Sequence, residues 1–212
     1  MARQRFSNHR VLRDSRRGIH PPIWRRLFHA TAGSVIPVAA IFAPKVPLLA
    51  AVGALCAVLL LVDVVRFRWP VVNQAFMRWL APLLKAEEDS RITGATYMTI
   101  ASLLALLLFH KPVAVAALLF LSLGDPAAAL IGRRAGPRFR LLGKSPAGTL
   151  AFVVVALGVA VALIQLGEVQ PHWGLAVGAA VAGLVELMPL PVDDNLSVPL
   201  SAGALMQLLG VA

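Results

Sequence analysis

Acidic side chains and cysteine are both scarce in this chain. Its 212 residues include ten Asp and Glu and a single cysteine, Cys56. One cysteine excludes an intramolecular disulfide framework and a cysteine-based metal site. Charged residues make up only 14% of the chain, less than a soluble domain of this size carries. The sequence also shows no internal repeat and no separate soluble domain.

The chain contains several long apolar segments. Hydrophobic residues make up 58% of the chain, and its mean hydropathy is +0.78. A membrane-spanning helix needs about 20 mostly apolar residues. The runs therefore predict an all-α, polytopic membrane protein with about seven transmembrane helices. The predicted spans are 27–44, 46–65, 94–110, 112–131, 147–166, 172–189 and 196–211.

The segment between the second and third spans, residues 69–85, has a different pattern. It places Val72, Phe76, Leu80 and Leu83 on one helical face. This pattern predicts an interfacial helix that lies along the membrane surface. A short re-entrant or tilted segment is the alternative.

The distribution of Lys and Arg predicts the topology. Of these twenty residues, eighteen precede the first span, lie between the second and third, or follow the fourth, and only Lys45 and Lys111 lie in the opposite loops. The positive-inside rule therefore predicts a cytoplasmic N-terminus. Residues 1–22 are predicted to be a basic cytoplasmic arm, and residues 23–212 a single transmembrane catalytic domain, in a plasma membrane of the bacterial type.

The net charge of +10 predicts attraction to anionic lipid headgroups. The sequence contains no interleaving of aromatic and basic residues and no known nucleic-acid motif, so nucleic acid is not expected as a partner. The oligomeric state is left open.

Most acidic residues fall near the ends of apolar segments, and the predicted topology puts eight of the ten on the cytoplasmic face. These eight are Asp63, Glu87, Glu88, Asp89, Asp125, Glu186, Asp193 and Asp194. A membrane protein that gathers ionisable groups at one interface is expected to act there, on a substrate that is part lipid and part charged.

Asp125 lies within the predicted fourth span, in the segment 124–132. An acidic side chain inside a span is costly and indicates function. Asp125 lies about two turns from the cytoplasmic end, within reach of a metal ion or a polar headgroup. The alternative is a structural Asp that pairs with an Arg between helices.

The segment 143–149, which begins Gly143-Lys144-Ser145, opens the fifth span. It brings backbone amides, an ammonium and hydroxyls to a helix N-terminus, which favours anions. It is not a Walker A motif, since Arg138 stands where the first glycine of that motif would fall.

The remaining acidic residues have structural alternatives. Glu87, Glu88 and Asp89 fit ordinary charges before a helix N-terminus. Asp63 and Arg66 are three residues apart and can share a helix face. The segment 186–195 offers carboxylate and amide oxygens suited to Mg²⁺, although a solvated turn would have the same composition.

Taken together, these motifs resemble the CTP-dependent lipid kinases, which include dolichol, phytol, diacylglycerol and polyprenol kinases. The resemblance extends from Arg25 to about Pro199. It rests on Arg25-Arg26-Leu27-Phe28-His29, Asp63-x-x-Arg66, Thr93-Gly94-Ala95-Thr96-Tyr97, Gly124-Asp125-Pro126-Ala127-Ala128, Gly132, Gly143-Lys144-Ser145, Gly148-Thr149, Glu186, Asp193-Asp194-Asn195 and Pro199. The chain has Ala147 where an acidic residue is usual, so this position cannot supply a ligand or a base.

The resemblance implies transfer of the γ-phosphate of CTP to a membrane lipid alcohol. The residues fit such a reaction, because phosphoryl transfer depends mainly on positioning and charge neutralisation. Asp125, with Asp194 or Glu186, is assigned to Mg²⁺, and Asp63, Lys144 and Glu186 to catalysis. Deprotonation of the alcohol is left open between Asp63 and Glu186.

Further residues are assigned to substrate binding. Nucleotide or phosphate contacts are expected from Arg66, Arg91, Thr93, Gly94, Gly132, Gly143, Lys144, Ser145, Gly148, Thr149 and Asn195. Lipid or other contacts are expected from Arg26, His29 and Tyr97. Two other functions fit the sequence less well: a phosphatidate cytidylyltransferase-like enzyme, and a small-molecule transporter, whose charges would lie nearer the bilayer midplane.

Overall fold

The computed structural model describes residues 23–134 and 140–212. In these two ranges the chain forms eight α-helices, one 3-10 helix at Ala86–Asp89 and no β-strand. The α-helices are α1 (Ile23–Phe42), α2 (Lys45–Arg68), α3 (Pro70–Trp79), α4 (Gly94–Leu108), α5 (Lys111–Gly132), α6 (Pro146–Gln165), α7 (Trp173–Leu187) and α8 (Asp194–Leu208). The predicted basic arm, residues 1–22, lies outside the described residues.

The all-helical class is confirmed, and each predicted span coincides with one α-helix to within a few residues. Three helices, α2, α5 and α6, are long and apolar enough to cross a bilayer, whereas α4 and α7 are apolar helices of 15 residues each. The count of seven spans and the cytoplasmic N-terminus therefore stay predictions.

The segment predicted to lie in the interface contains α3, which is shorter than residues 69–85. Pro70 begins this helix, where a missing backbone N–H costs nothing. None of its residues is buried, and Trp79 is 83% exposed. A helix with no buried residue is consistent with a position along the membrane surface.

The central helix of the bundle is α5. Every residue from Val113 to Leu121 is buried, and the helix packs against α6, α1 and α8. Where α5 and α6 meet, a Cβ on Gly148 would stand 2.7 Å from the backbone oxygen of Ala128. Only glycine permits this approach, and it brings the N-terminus of α6 directly against the end of α5 that follows Asp125.

Candidate active site

Two cavities lie side by side at the end of the bundle where α5 ends and α6 begins. The large cavity measures about 600 Å³ and is lined by α1, α2, α4, α5, the N-terminus of α8 and the segment that follows α3. The small cavity measures about 200 Å³ and lies between α5 and α6. Ala129 of α5 lines both cavities, so one helix face forms their common wall.

Lys144 connects the two cavities. Its Nζ atom lies 2.7 Å from Oδ2 of Asp194, which lines the large cavity. It also lies 3.2 Å from Oε1 of Glu186, which lines the small cavity, and donates to the backbone oxygen of Glu186. Burial opposes the Lys144 charge, but the hydrogen bond and charge of Asp194, with the charge of Glu186, outweigh it and raise the pKa of Lys144.

A tight turn presents Lys144 to these carboxylates. Leu141 and Lys144 exchange two backbone hydrogen bonds of 2.8 and 3.0 Å. The two residues between them are both left-handed, with φ of 54° at Leu142 and 86° at Gly143. Two positive φ values in a two-residue loop are typical of a type I′ turn. Glycine adopts this backbone freely, whereas Leu142 adopts it at a cost, so the turn is held by its surroundings.

The small cavity has the composition of an anion site. Its lining residues are Ala128, Ala129, Gly132, Arg133, Arg140, Gly143, Lys144, Ser145, Gly148, Thr149 and Glu186. The Ser145 hydroxyl is buried and has no hydrogen-bond partner among the described residues. A buried hydroxyl without a partner is costly, and a phosphate oxygen in this cavity would satisfy it. The residues that the sequence assigned to phosphate binding at the N-terminus of α6 line this one cavity, and their role stays a prediction.

Asp125 lies one helical turn before Ala129 and faces the large cavity. Its side chain is 38% exposed, and its Oδ2 lies 3.8 Å from Nε2 of His29 on α1. His29 Nε2 and Arg26 Nη1 are buried without a hydrogen-bond partner in the described part of the chain, and both residues line the same cavity. The polar end of the large cavity therefore combines a carboxylate with hydrogen-bonding groups that a ligand could satisfy.

For Mg²⁺, the carboxylates fit in chemistry and in part in placement. In residues 23–134 and 140–212, no three His, Cys, Asp or Glu side chains converge closely enough to hold a metal ion. Asp194 and Glu186 nevertheless share one cation, the Lys144 ammonium. Mg²⁺ is usually held by one or two carboxylates together with substrate phosphates rather than by a complete protein cage. Two convergent carboxylates beside an anion cavity meet that requirement.

A buried polar cluster forms the other side of the large cavity, centred on Asp63 and Arg66. Arg66 is fully buried, and its Nε donates to Oδ1 of Asp63 at 2.6 Å. Its two other nitrogens donate to the side chain of Asn73 and to the backbone oxygens of Glu88 and Arg91. One guanidinium therefore joins α2 to α3 and to the segment that leads into α4.

The carboxylates of this cluster are also occupied. Asp63 Oδ2 accepts from the hydroxyl of Thr96 at 2.7 Å and from the backbone N–H of Thr93 at 3.3 Å. Glu88 accepts from the backbone N–H groups of Lys85 and Gly94, both at 2.9 Å. These contacts fix the N-terminus of α4 against α2, and they leave Asp63 only 2% exposed.

The predicted site residues thus separate into groups. Arg26, His29, Thr93, Gly94 and Asn195 line the large cavity together with Asp63, Asp125 and Asp194. Gly132, Gly143, Ser145, Gly148 and Thr149 line the small cavity together with Lys144 and Glu186. Arg66, Arg91 and Tyr97 line neither cavity as described. The assigned roles stay predictions.

Three residues of the site carried no functional assignment from the sequence. Arg133 and Arg140 line the small cavity but counted only as topology signals. Their position around the Gly143 turn is the signal that could have marked them. Asn73 bridges Arg66 and Asp89, and nothing in the local sequence of α3 singles it out.

Comparisons with known proteins extend the resemblance found in the sequence. An uncharacterized protein of Rickettsia prowazekii is 27% identical over 183 residues, covering 84% of this chain and 89% of that protein. A CTP-dependent diacylglycerol kinase of Schizosaccharomyces pombe is 29% identical over 161 residues, covering 69% of this chain and 74% of the kinase. A probable chloroplastic phytol kinase of Glycine max is 34% identical over 128 residues, covering 53% of this chain and 42% of that protein.

No protein-family model and no solved structure matches the chain. The named relatives confirm the resemblance to the CTP-dependent lipid kinases.

Proposed function

We propose that this chain, as a relative of the CTP-dependent lipid kinases, is a membrane enzyme that transfers the γ-phosphate of CTP to a lipid alcohol. The observation that carries the proposal is the pair of adjoining cavities with Lys144, Glu186 and Asp194 between them. One cavity is small, glycine-rich and basic, and the other is large and mostly apolar. A reaction between a water-soluble anion and a lipid needs both kinds of site in contact.

The small cavity is proposed to hold the phosphates of CTP. Arg133, Arg140 and Lys144 supply positive charge, and Ser145 supplies a hydroxyl without a partner among the described residues. The glycine at position 148 removes the side chain that would otherwise fill the space between α5 and α6. Cations fixed around a phosphate stabilise the charge that shifts during transfer without reorganising.

Asp194 and Glu186 would hold Mg²⁺, with Asp125 on the side of the large cavity. When bound with the nucleotide, the metal ion would neutralise charge on the transferred phosphate. In the structure the Lys144 ammonium balances these two carboxylates. Lys144 is therefore proposed to contact phosphate oxygens when CTP is present, while the carboxylates keep a cationic partner.

The lipid hydroxyl is proposed to enter from the large cavity, where Asp125, His29 and Asn195 line the polar end. Its oxygen forms the new bond to the γ-phosphorus, the bond from that phosphorus to the bridging oxygen breaks, and CDP leaves. Glu186 is favoured over Asp63 to accept the hydroxyl proton, because both oxygens of Asp63 are already hydrogen-bonded. Asp63 and Arg66 are proposed to position α4 and the segment before it.

The site is proposed to face the cytoplasm of a bacterial-type cell, in a plasma membrane whose anionic lipids attract the basic loops. The topology predicted from the sequence assigns eighteen of the twenty Lys and Arg to the side of the site, and CTP is a cytosolic compound. Diacylglycerol, phytol, dolichol and other polyprenols are the acceptor classes to compare.

The test is transfer of label from CTP to lipid. The purified protein, in lipid nanodiscs with Mg²⁺ and each acceptor class, is given CTP labelled either at the γ-phosphate or at the α-phosphate. We expect label from the γ-position only, in a phosphorylated lipid, with CDP as the other product. Label from the α-position in the lipid, with release of pyrophosphate, would instead assign the chain to the cytidylyltransferases.

A further inference from the structure

The helices α1 and α2 pack against different neighbours beyond the short segment that connects them. The two residues Ala43 and Pro44 join α1 to α2. From there α1 packs mainly against α5, whereas α2 packs mainly against α4, and the two helices touch each other only sparsely. A seam therefore runs between α1 and α2 along the length of the bundle.

The large cavity opens through this seam. Val35 and Phe28 on α1, and Leu55 and Val62 on α2, all line the cavity. The same residues are 63%, 47%, 44% and 36% exposed, respectively. Exposure this high in cavity-lining side chains of both helices indicates that the cavity wall is open between α1 and α2, so the cavity is a slot with a side entrance.

The slot is apolar and extends along the axes of α1 and α2. The stretch 46–62 of α2 contains no charged residue, nor does the stretch 30–42 of α1. Leu55 precedes Asp63 by eight residues, so the lining of the slot extends about 12 Å along α2 below the polar cluster. The helix α2 is long and apolar enough to span a bilayer, and in that position the entrance would face lipid hydrocarbon.

We propose that the hydrocarbon chain of the acceptor lipid lies in this slot and enters it sideways from the bilayer, between α1 and α2. This inference rests on the proposed function. The slot is continuous with the polar end that Asp125 and Asp194 line, so a chain in the slot delivers its hydroxyl to the acidic residues. The acceptor then never leaves the membrane, and only its head has to reach the nucleotide.

This arrangement defines the class of acceptor. The acceptor carries a hydroxyl at the end of a long apolar chain, and the remainder of the chain passes out between the helices. The slot therefore sets a minimum chain length for tight binding but no maximum. An acceptor with very short chains can reach the polar end from water without filling the slot.

The test compares two substitutions on one helix. Leu59 lines the slot, whereas Leu61 does not line it and is 62% exposed to the lipid side. Leu59→Trp fills the slot, and Leu61→Trp adds the same side chain outside it. With protein in nanodiscs, we expect Leu59→Trp to lower kcat/KM for a long-chain acceptor by about tenfold or more. Transfer to a water-soluble diacylglycerol with two six-carbon acyl chains should fall much less than transfer to the long-chain acceptor, and Leu61→Trp should change neither rate.

A second measurement needs no variant. A diacylglycerol with a photoactivatable group in one acyl chain is irradiated with the wild-type protein, and the labelled residues are mapped by mass spectrometry. We expect label on Val35, Ile36, Leu55 or Leu59, and we expect unlabelled acceptor to compete for it. Label confined to the outer faces of α6 and α7, or equal effects of Leu59→Trp and Leu61→Trp on the long-chain acceptor, would overturn the inference. Absence of transfer to any lipid alcohol by the wild-type protein would instead overturn the proposed function.

Discussion

Replacing Arg66 tests whether the buried cluster positions the site. Arg66→Met keeps an unbranched apolar chain and removes the guanidinium. The ion pair with Asp63 is lost, together with the hydrogen bonds to Asn73, Glu88 and Arg91. Since Arg66 is fully buried and Asp63 is only 2% exposed, water is a poor substitute for the lost partner.

The expected loss of stability follows from the Asp63 charge that Arg66→Met leaves without its partner. Removing one member of a buried ion pair costs about 3–5 kcal/mol, because the other charge stays buried without its partner. For a protein of this size, that cost corresponds to a fall in melting temperature on the order of 10 °C. Arg66→Lys should restore only part of the stability, because a single ammonium cannot reach four acceptors that a guanidinium reaches in a plane.

The native cysteine provides the assay. Cys56 is only 6% exposed, in the same helix as Arg66, so a thiol-reactive dye reports unfolding of α2 in detergent micelles. Arg68→Met is the matched control, since Arg68 is exposed two residues further along the helix. Equal melting temperatures for Arg66→Met and Arg68→Met would refute the positioning role. Retained stability with loss of CTP binding would return Arg66 to the direct role in phosphate binding expected from the sequence.

Three other experiments test the proposed site and topology. Asp125→Asn keeps the shape of the side chain and removes its charge. We expect kinase activity to fall by orders of magnitude while the melting temperature stays unchanged. Near-normal activity at ordinary Mg²⁺ concentrations would show that Asp125 is structural. Lys144→Met should lose most lipid phosphorylation activity, which corresponds to a loss of several kcal/mol of transition-state stabilisation. Lys144→Arg should recover only part of this activity. Full activity of Lys144→Met would show that Lys144 does not belong to the active site. After replacement of Cys56, single cysteines are introduced at the exposed positions Ser90 and Gln170 and treated with a membrane-impermeant thiol reagent. We expect the cysteine at position 90 to react from the cytoplasmic side and the cysteine at position 170 to react from the opposite side. Labelling of both from the same side would contradict the predicted topology.

Apolar runs and charge placement sufficed to predict the helices, because both are local properties of the sequence. The helices α5 and α6 each have a proline in the first turn, Pro112 and Pro146, where the missing backbone N–H removes no helical hydrogen bond. The position of Asp125 near the C-terminal end of α5 could likewise be predicted from its spacing to the end of the span. Neither inference needs knowledge of which helices are neighbours.

The partners of each site residue could not be predicted in this way. Asp63 and Arg66 were expected to act on substrate, and the contacts that occupy them come from Asn73, Glu88 and Thr96 on other elements. The sharing of Lys144 between Glu186 and Asp194 depends on how α6, α7 and α8 pack. Sequence spacing determines faces within one helix, whereas these contacts depend on tertiary packing.

Helix length gives a reason for the depth at which the two cavities meet. The helices α4 and α7 have 15 residues each, which corresponds to about 22 Å, whereas the hydrocarbon core of a bilayer is about 30 Å thick. In the proposed topology both helices span the membrane, and their short length would draw the polar segments at their ends, residues 85–93 and 188–193, toward the hydrocarbon. The proposed lipid hydroxyl would then meet charged groups without rising far out of the membrane, while the Gly143 turn would bring Lys144 and the small cavity to the same level from the proposed cytoplasmic side. On this reasoning, lengthening α4 or α7 would move the acidic residues away from the apolar slot, even with every site residue unchanged.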